Sequence, residues 1–125
     1  MIGQTTILEK SAKAGAAITA YTIAKYGADD DTLIPATAST ESLIGVFQHN
    51  QDSGKEVRVM LLGISRVKAG GNITRGDFLT SDANGKAVAI GAVAGTNYNS
   101  IGRALASGVA DDIIPVLLSP SRPQG

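Results

Sequence analysis

Lys13-Ala14-Gly15-Ala16-Ala17-Ile18-Thr19 and Lys68-Ala69-Gly70-Gly71-Asn72-Ile73-Thr74 share five of their seven residues. In both copies the same features follow in the same order: a short apolar run, a turn rich in Asp or in Asn and Gly, an Ile-Gly step, and an acidic residue before an apolar strand. The spacing between the copies is 55 residues at first, 57 at the Ile-Gly step and 56 at the last strand, where Glu56 matches Asp112. Two degenerate copies predict one compact domain of two similar halves, because an open solenoid needs at least about three repeats.

The composition fits a single small domain made of short strands and turns. The chain has 125 residues, 15 of them Gly, and an apolar fraction of 43%. Its formal net charge is zero, so neither nucleic acid nor an anionic membrane is expected as a partner. The absence of Cys excludes disulfides and thiolate chemistry. The first residues lack the pattern of a secretory signal peptide and no apolar run is long enough for a membrane helix, so we expect a soluble protein made in the cytoplasm.

Strand and turn signals predict a mainly β fold, either a compact small β-barrel or a β-sandwich. Residues 13–118 are predicted to form a single β domain, with pseudo-repeats over residues 13–62 and 68–118. Residues 1–12 are predicted to be an extended N-terminal arm. Residues 119–125 contain two Pro and are predicted to be an exposed C-terminal tail.

Turn chemistry accounts for most of the small and polar positions that the repeat retains. Asn84-Gly85 predicts a hairpin with a type I′ turn, since both central residues of such a turn have positive φ. Gly supplies that conformation without steric cost, and Asp bonds to its own backbone. The residues assigned to structural turns are Gly15, Gly70, Gly71, Gly76, Asp77, Asn84 and Gly85.

No group of residues has the pattern of an active site, so the chain is not expected to be an enzyme. His49 is the only His, and no nucleophile motif accompanies it. Gly54-Lys55 and Gly85-Lys86 lack the rest of a Walker A loop. Asp29-Asp30-Asp31 lacks the alternating spacing of a calcium loop, and Arg75-Gly76-Asp77 is ordinary chemistry for the start of a strand. We therefore assign no catalytic, cofactor-binding or metal site.

The segment from Gly63 to Val88 resembles the small capsid-cement, or head-decoration, proteins of tailed bacteriophages and prophages. It reads GISRVKAGGNITRGDFLTSDANGKAV. The segments Ile44 to Val46, Ile101 to Leu105 and Asp112 to Pro120 are similar to the same family, and the resemblance extends over nearly the whole chain from about Ser11. It rests on the order of turns and apolar strands rather than on any one motif.

One residue and one short segment depart from the pattern of that family. Arg103 stands where such proteins usually have an apolar residue, and Phe47 to Gln51 is a local sequence without a counterpart in them. Both lie where surface contacts can vary, so they affect the expected contacts rather than the family.

The resemblance implies a β-rich protein, usually a homotrimer, on the outer surface of a phage capsid. Such a protein bridges neighbouring major capsid subunits and stabilises the mature head; it is part of the virion and is made in the host cytoplasm. Two other hypotheses remain open. A generic small β-barrel binding module would explain the composition, and a lipoyl- or biotinyl-like carrier domain would present Lys86 near a hairpin tip.

The capsid contacts are expected in the N-terminal arm. Its few apolar residues cannot form a core, but an extended segment can add to the edge of a neighbour's sheet. The alternative is that this segment packs on its own domain. The residues assigned to capsid contact are Ile2, Thr5, Thr6, Ile7 and Leu8.

Overall fold

Nine β-strands and no helix make up the described part of this computed structural model, which comprises residues 4–91 and 98–121. The mainly β fold predicted from the sequence is confirmed. Those residues contain no helix that could cross a bilayer. The strands are β1 (Thr5–Ala14), β2 (Ile23–Tyr26), β3 (Thr32–Pro35), β4 (Leu43–Phe47), β5 (Glu56–Lys68), β6 (Phe78–Ser81), β7 (Ala87–Ala89), β8 (Ser100–Ala104) and β9 (Ile113–Ser121).

The strands form one sheet that closes on itself in its first half. The strand order is β1-β3-β2-β4-β5-β9-β8-β6-β7, and β1 also pairs with β5. Strands β1 to β5 therefore form a ring. In the second half, a single parallel bridge joins Ala69, just after β5, to Ala87 in β7. The 13-residue strand β5 pairs with β1 and β4 in the first half and with β9 in the second, so it belongs to both.

The internal repeat is visible in the backbone hydrogen bonds. Ile18 and Gln51 exchange two N–H···O bonds of 2.8 and 3.1 Å. Ile73 and Gly108 exchange the equivalent two bonds, of 2.9 and 3.0 Å. Both Ile side chains are buried, so the matching residues of the two copies occupy matching environments.

The same correspondence holds in the hydrophobic core. Each of the eight buried side chains inside the first ring has a counterpart in the larger cluster of the second half. The larger cluster also contains first-half residues, so it continues across the boundary between the halves. The eight pairs are Ala12 with Val67, Ala14 with Ala69, Ile18 with Ile73, Ala24 with Leu79, Leu33 with Ala87, Phe47 with Ala104, Val57 with Ile114, and Val59 with Val116.

The ends of the chain differ from the expectation. Thr5 to Lys13 pair with β5 in an antiparallel ladder, so residues 5–12 belong to the sheet and are not an arm beside it. At the other end, β9 continues to Ser121, which pairs with Ser100, so the tail does not begin at residue 119. In both places the main chain, which needs partners whatever its side chains are, extends an existing strand ladder.

The Asn84-Gly85 hairpin forms, but not with a type I′ turn. Only Gly85 has positive φ, of 74°, and the turn is closed by a 2.9 Å bond from Asp82 N to Lys86 O. The Asp82 carboxylate accepts from Asn84 N and Lys86 N at 2.8 and 2.9 Å. A side chain that caps its own loop thus selects a longer turn than the Asn-Gly pair alone predicts.

Candidate docking surface

Three neighbouring strands of the second half carry a row of exposed side chains. Phe78 lies opposite Arg103, and Arg103 lies opposite Leu117. Phe78 is 46% exposed and Leu117 is 42% exposed. Directly opposite residues share one face of a sheet. We call Phe78, Arg103 and Leu117 the open row.

Arg103 is held in place at the centre of the open row. Its guanidinium carbon lies 4.8 Å from the centroid of the Phe78 ring, which is within the range of a cation–π contact. Its Nε donates to Gly76 O at 3.2 Å. The row therefore presents two apolar side chains on either side of an oriented positive charge.

The equivalent row of the first half is completely covered. Tyr21 N donates to Phe47 O as Gly76 N donates to Ala104 O, both at 2.7 Å, so the residues before the acceptors, Val46 and Arg103, are counterparts. Val46 lies opposite Ile23 and Met60, and all three have 0% exposure. The row that the first half buries against the second half is therefore exposed at the equivalent position of the second half.

A second apolar patch lies where β1 begins. Ile7 is 70% exposed and Leu8 is 47% exposed, and Leu8 lies opposite Leu62, which is 41% exposed. The ladder slips between Thr6 and Leu8, which marks a bulge in β1. We call Ile7, Leu8 and Leu62 the β1 patch.

Four of the five residues assigned to capsid contact lie together at this patch. Thr5, Thr6, Ile7 and Leu8 are all exposed at the start of β1, and Ile2 lies outside the described residues. Thr5 also lies opposite Ile64, which in turn lies opposite Leu117, so the β1 patch adjoins the open row.

The residues assigned to turns lie in loops between strands. Gly76 and Gly85 have positive φ. Gly15 N and Gly70 N donate to the strands β3 and β7, at 3.0 and 2.7 Å. The remaining turn positions are Gly71, Asp77 and Asn84.

The polar residues that the sequence singled out have structural partners. His49 Nδ1 bonds to Asn50 O at 2.9 Å, and Arg58 N donates to His49 Nε2 at 3.1 Å. The Asp77 carboxylate accepts from Thr74 N at 2.9 Å and so caps its own turn. Within residues 4–91 and 98–121 no cluster of three potential metal ligands occurs.

Lys86 joins two loops of the second half. Its Nζ donates to Asp111 Oδ1 at 2.8 Å. This hydrogen bond and the attraction between the two charges raise the pKa of Lys86 and lower the pKa of Asp111. The neighbouring Gly85 is buried, so the hairpin tip does not present Lys86 as the free lysine of a carrier domain.

Residues 2–118 match the family described as phage cement protein. The chain belongs to this family. The fold of the cement protein is similar to a solved structure described as the head fiber gp8.5 N base in bacteriophage phi29, with a TM-score of 0.68. The two chains share 24% identity over 94% of the cement protein and 98% of the other chain, a similarity that concerns the fold alone. No curated protein matches the sequence.

The resemblance inferred from the sequence is thus confirmed, and the cement protein is a structural protein of a phage capsid. The sequence drew attention to Arg103, but it did not distinguish the open row from the core. Ile23 and Phe78 are both apolar residues at the start of a β-strand, and only the arrangement of the two halves makes one buried and the other exposed.

Proposed function

We propose that this cement protein decorates the outer surface of the phage head, bridges neighbouring major capsid subunits and stabilises the mature shell. Membership of the cement family supports a capsid partner. The observation that carries the proposal to particular residues is the β1 patch, where Ile7 and Leu8 expose 70% and 47% of their surface at the bulge in β1. Exposed apolar patches of this kind are typical of interaction sites.

The proposed mechanism is linkage. A ligand that binds the mature lattice and not its dissociated subunits lowers the free energy of the lattice by mass action. As a homotrimer the protein would engage several capsid subunits at once, and this multivalency raises the avidity without tighter individual contacts. No enzymatic step, nucleic acid or membrane takes part in this function.

The experiment measures binding to expanded shells that lack the cement protein, by co-sedimentation. Replacing Ile7 and Leu8 by Ser is expected to weaken binding at least tenfold, because burying one such side chain contributes roughly 1.5–3 kcal/mol. Circular dichroism should show an unchanged fold, since both side chains are exposed.

The matched control is Val109→Ser, because Val109 is 57% exposed in a loop of the second half. It should bind like the parent protein, and decorated shells should withstand higher temperatures than bare ones. Equal binding by the Ile7→Ser/Leu8→Ser variant would move the capsid contact elsewhere on the molecule. Absence of binding by the parent protein would contradict the proposed function.

A further inference from the structure

One loop and one row of side chains are among the contacts between the two halves of the chain. The loop between β6 and β7 reaches the first half, where Ile23 N donates to Gly85 O at 2.8 Å. A Cβ added to Gly85 would lie 3.4 Å from both Ala36 O and Thr22 Cβ, so the loop packs directly on its neighbour. Ile23 belongs to the row Ile23, Val46 and Met60, which is fully buried in one cluster with side chains of the second half.

The repeat supplies a second loop and a second row, and both are open. The loop between β2 and β3 is the counterpart of the β6–β7 loop. Gly27 N donates to Thr32 O at 2.8 Å as Asp82 N donates to Lys86 O at 2.9 Å. Ala28, Asp29, Asp30 and Asp31 are all exposed.

The open row is more positive than the row Ile23, Val46 and Met60. The open loop is more negative than the β6–β7 loop. The open row has Arg103 where the buried row has Val46, and exposed Arg75 lies in the turn just before β6. The open loop has three consecutive Asp where the β6–β7 loop has Ala83-Asn84-Gly85, of which Gly85 is buried. A neutral pair of surfaces thus meets inside the chain, and a complementary charged pair remains outside it.

We propose that the Ala28–Asp31 loop of one copy docks on the open row of a second copy, head to tail. The contact repeats between chains the one that joins the two halves within a chain, with Asp30 and Asp31 facing Arg103. It joins two different surfaces, and a contact of this kind builds a ring when its rotation closes. The inference rests on the homotrimer of the proposed function, to which it adds the contact between copies.

The test uses charge reversal and sedimentation velocity over a range of concentrations. Arg103→Glu and Asp30→Arg/Asp31→Arg should each raise the dissociation constant of self-association at least tenfold, because each places like charges together. All three substitutions in one chain should restore association, since the charges are then exchanged. Asp29 is retained because its Oδ1 accepts from Asp31 N at 3.0 Å within the loop.

Lys55→Glu is the control, a charge reversal on an exposed loop of the first half, and it should associate like the parent protein. If the variant with all three substitutions did not regain self-association, although circular dichroism showed an intact fold, the proposal would be overturned. A parent protein that sediments as a monomer at every concentration would also overturn it.

The absence of Cys permits a direct test of the head-to-tail arrangement. Ala28→Cys and Leu117→Cys proteins are mixed and treated with a short thiol-specific crosslinker. Crosslinks should form between the two variants and not within either one alone. Crosslinks between two Leu117→Cys copies would instead show two like surfaces meeting, contrary to the proposal.

Shell binding distinguishes this inference from the proposed function. A protein that self-associates as described but does not bind shells would contradict only the proposed function. A protein that binds shells as separate copies, with no crosslink between Ala28→Cys and Leu117→Cys on the shell, would contradict only the head-to-tail contact.

Discussion

The Ile-Gly step occurs in both copies because two strands come unusually close at the Gly. A Cβ added to Gly45 would collide with Met60 O, and one added to Gly102 would collide with Leu117 O. Gly102 also has a φ of 151°, a backbone conformation that residues other than Gly rarely adopt. The identity of these residues follows from the backbone of the neighbouring strand.

Gly102→Ala is expected to destabilise the fold by about 2–4 kcal/mol, from an unfavourable φ and a steric overlap that the strand cannot avoid. Urea denaturation followed by circular dichroism would measure the loss. The control is Gly91→Ala, because Gly91 has no atom within 4 Å of an added Cβ. It should change the stability by less than about 0.5 kcal/mol; equal losses for both variants would contradict the explanation.

In the last strand, the strand ladders align the two copies differently from a match by residue type. The sequence aligned Glu56 with Asp112, whereas the ladder aligns Glu56, opposite Lys13, with Ile113, opposite Lys68. Asp111 has the positive φ, of 70°, that Gly54 has in the first copy, of 88°. Asp tolerates this conformation better than most residues, so a backbone requirement was hidden by a difference in residue type.

At the scale of elements, the two cores fill similar spaces with different side chains. The first ring combines Phe47 on β4 with Ala24 on β2, and the second half combines Ala104 with Leu79 at the equivalent positions. Each half thus pairs a large residue on one strand with a small residue on the neighbouring strand. The strand that carries the large residue in one half carries the small residue in the other. Such complementarity keeps the packing density constant.

Phe47→Ala should cost about 3–5 kcal/mol, because it leaves a cavity in the first ring. Ala24→Leu should cost about 1–3 kcal/mol alone, through overpacking. In the Phe47→Ala background, however, Ala24→Leu should raise the free energy of unfolding, since it recreates the combination of the second half. Chemical denaturation of the four proteins measures this change of sign, and a second loss in the double variant would contradict the packing argument.

Strand β1 shows what the sequence predicted poorly. Its few apolar residues indicated too little buried surface to fold, and residues 1–12 were expected to be an arm. The pairing of Thr5 with Ile64 and of Lys10 with Val59 is made by main-chain groups, which every non-Pro residue carries. Side-chain patterns find cores and turns well, but they do not show where an exposed strand finds its partner.

At the scale of the whole molecule, Glu41 organises the loop between β3 and β4, which is hydrogen-bonded to the second half. Its carboxylate forms an ion pair with Lys25 and accepts from Thr37 N and Ala38 N at 2.6 and 2.8 Å. The backbone O of Glu41 accepts from the side-chain amide of Asn99. The backbone N of Asn99 donates to Ser39 O at 2.8 Å. Burial alone would raise the pKa of Glu41, but Lys25 and the Thr37 and Ala38 donors lower it to about 2.

A carboxyl with a lowered pKa in the folded state contributes stability above its ordinary pKa, here 4.5, and that contribution is lost as the pH falls towards 2. Glu41→Gln should therefore lower the free energy of unfolding at pH 7 by about 1 kcal/mol, allowing for partial solvent screening. The difference from the parent protein should disappear as the pH approaches 2. Urea titrations at several pH values test this, with the exposed Glu56→Gln as control; a difference that did not change with pH would contradict it.

Strand β5 belongs to both halves of the sheet. The order in which the strands are synthesised therefore matches the order in which the two halves can close. All five strands of the first ring lie within residues 5–68, so a nascent chain can complete that ring before the ribosome has made β6 to β9. Until then Ile23, Val46 and Met60 are without their cover. The growing chain then supplies it, and the last strand, β9, is added to a β5 that is already in place.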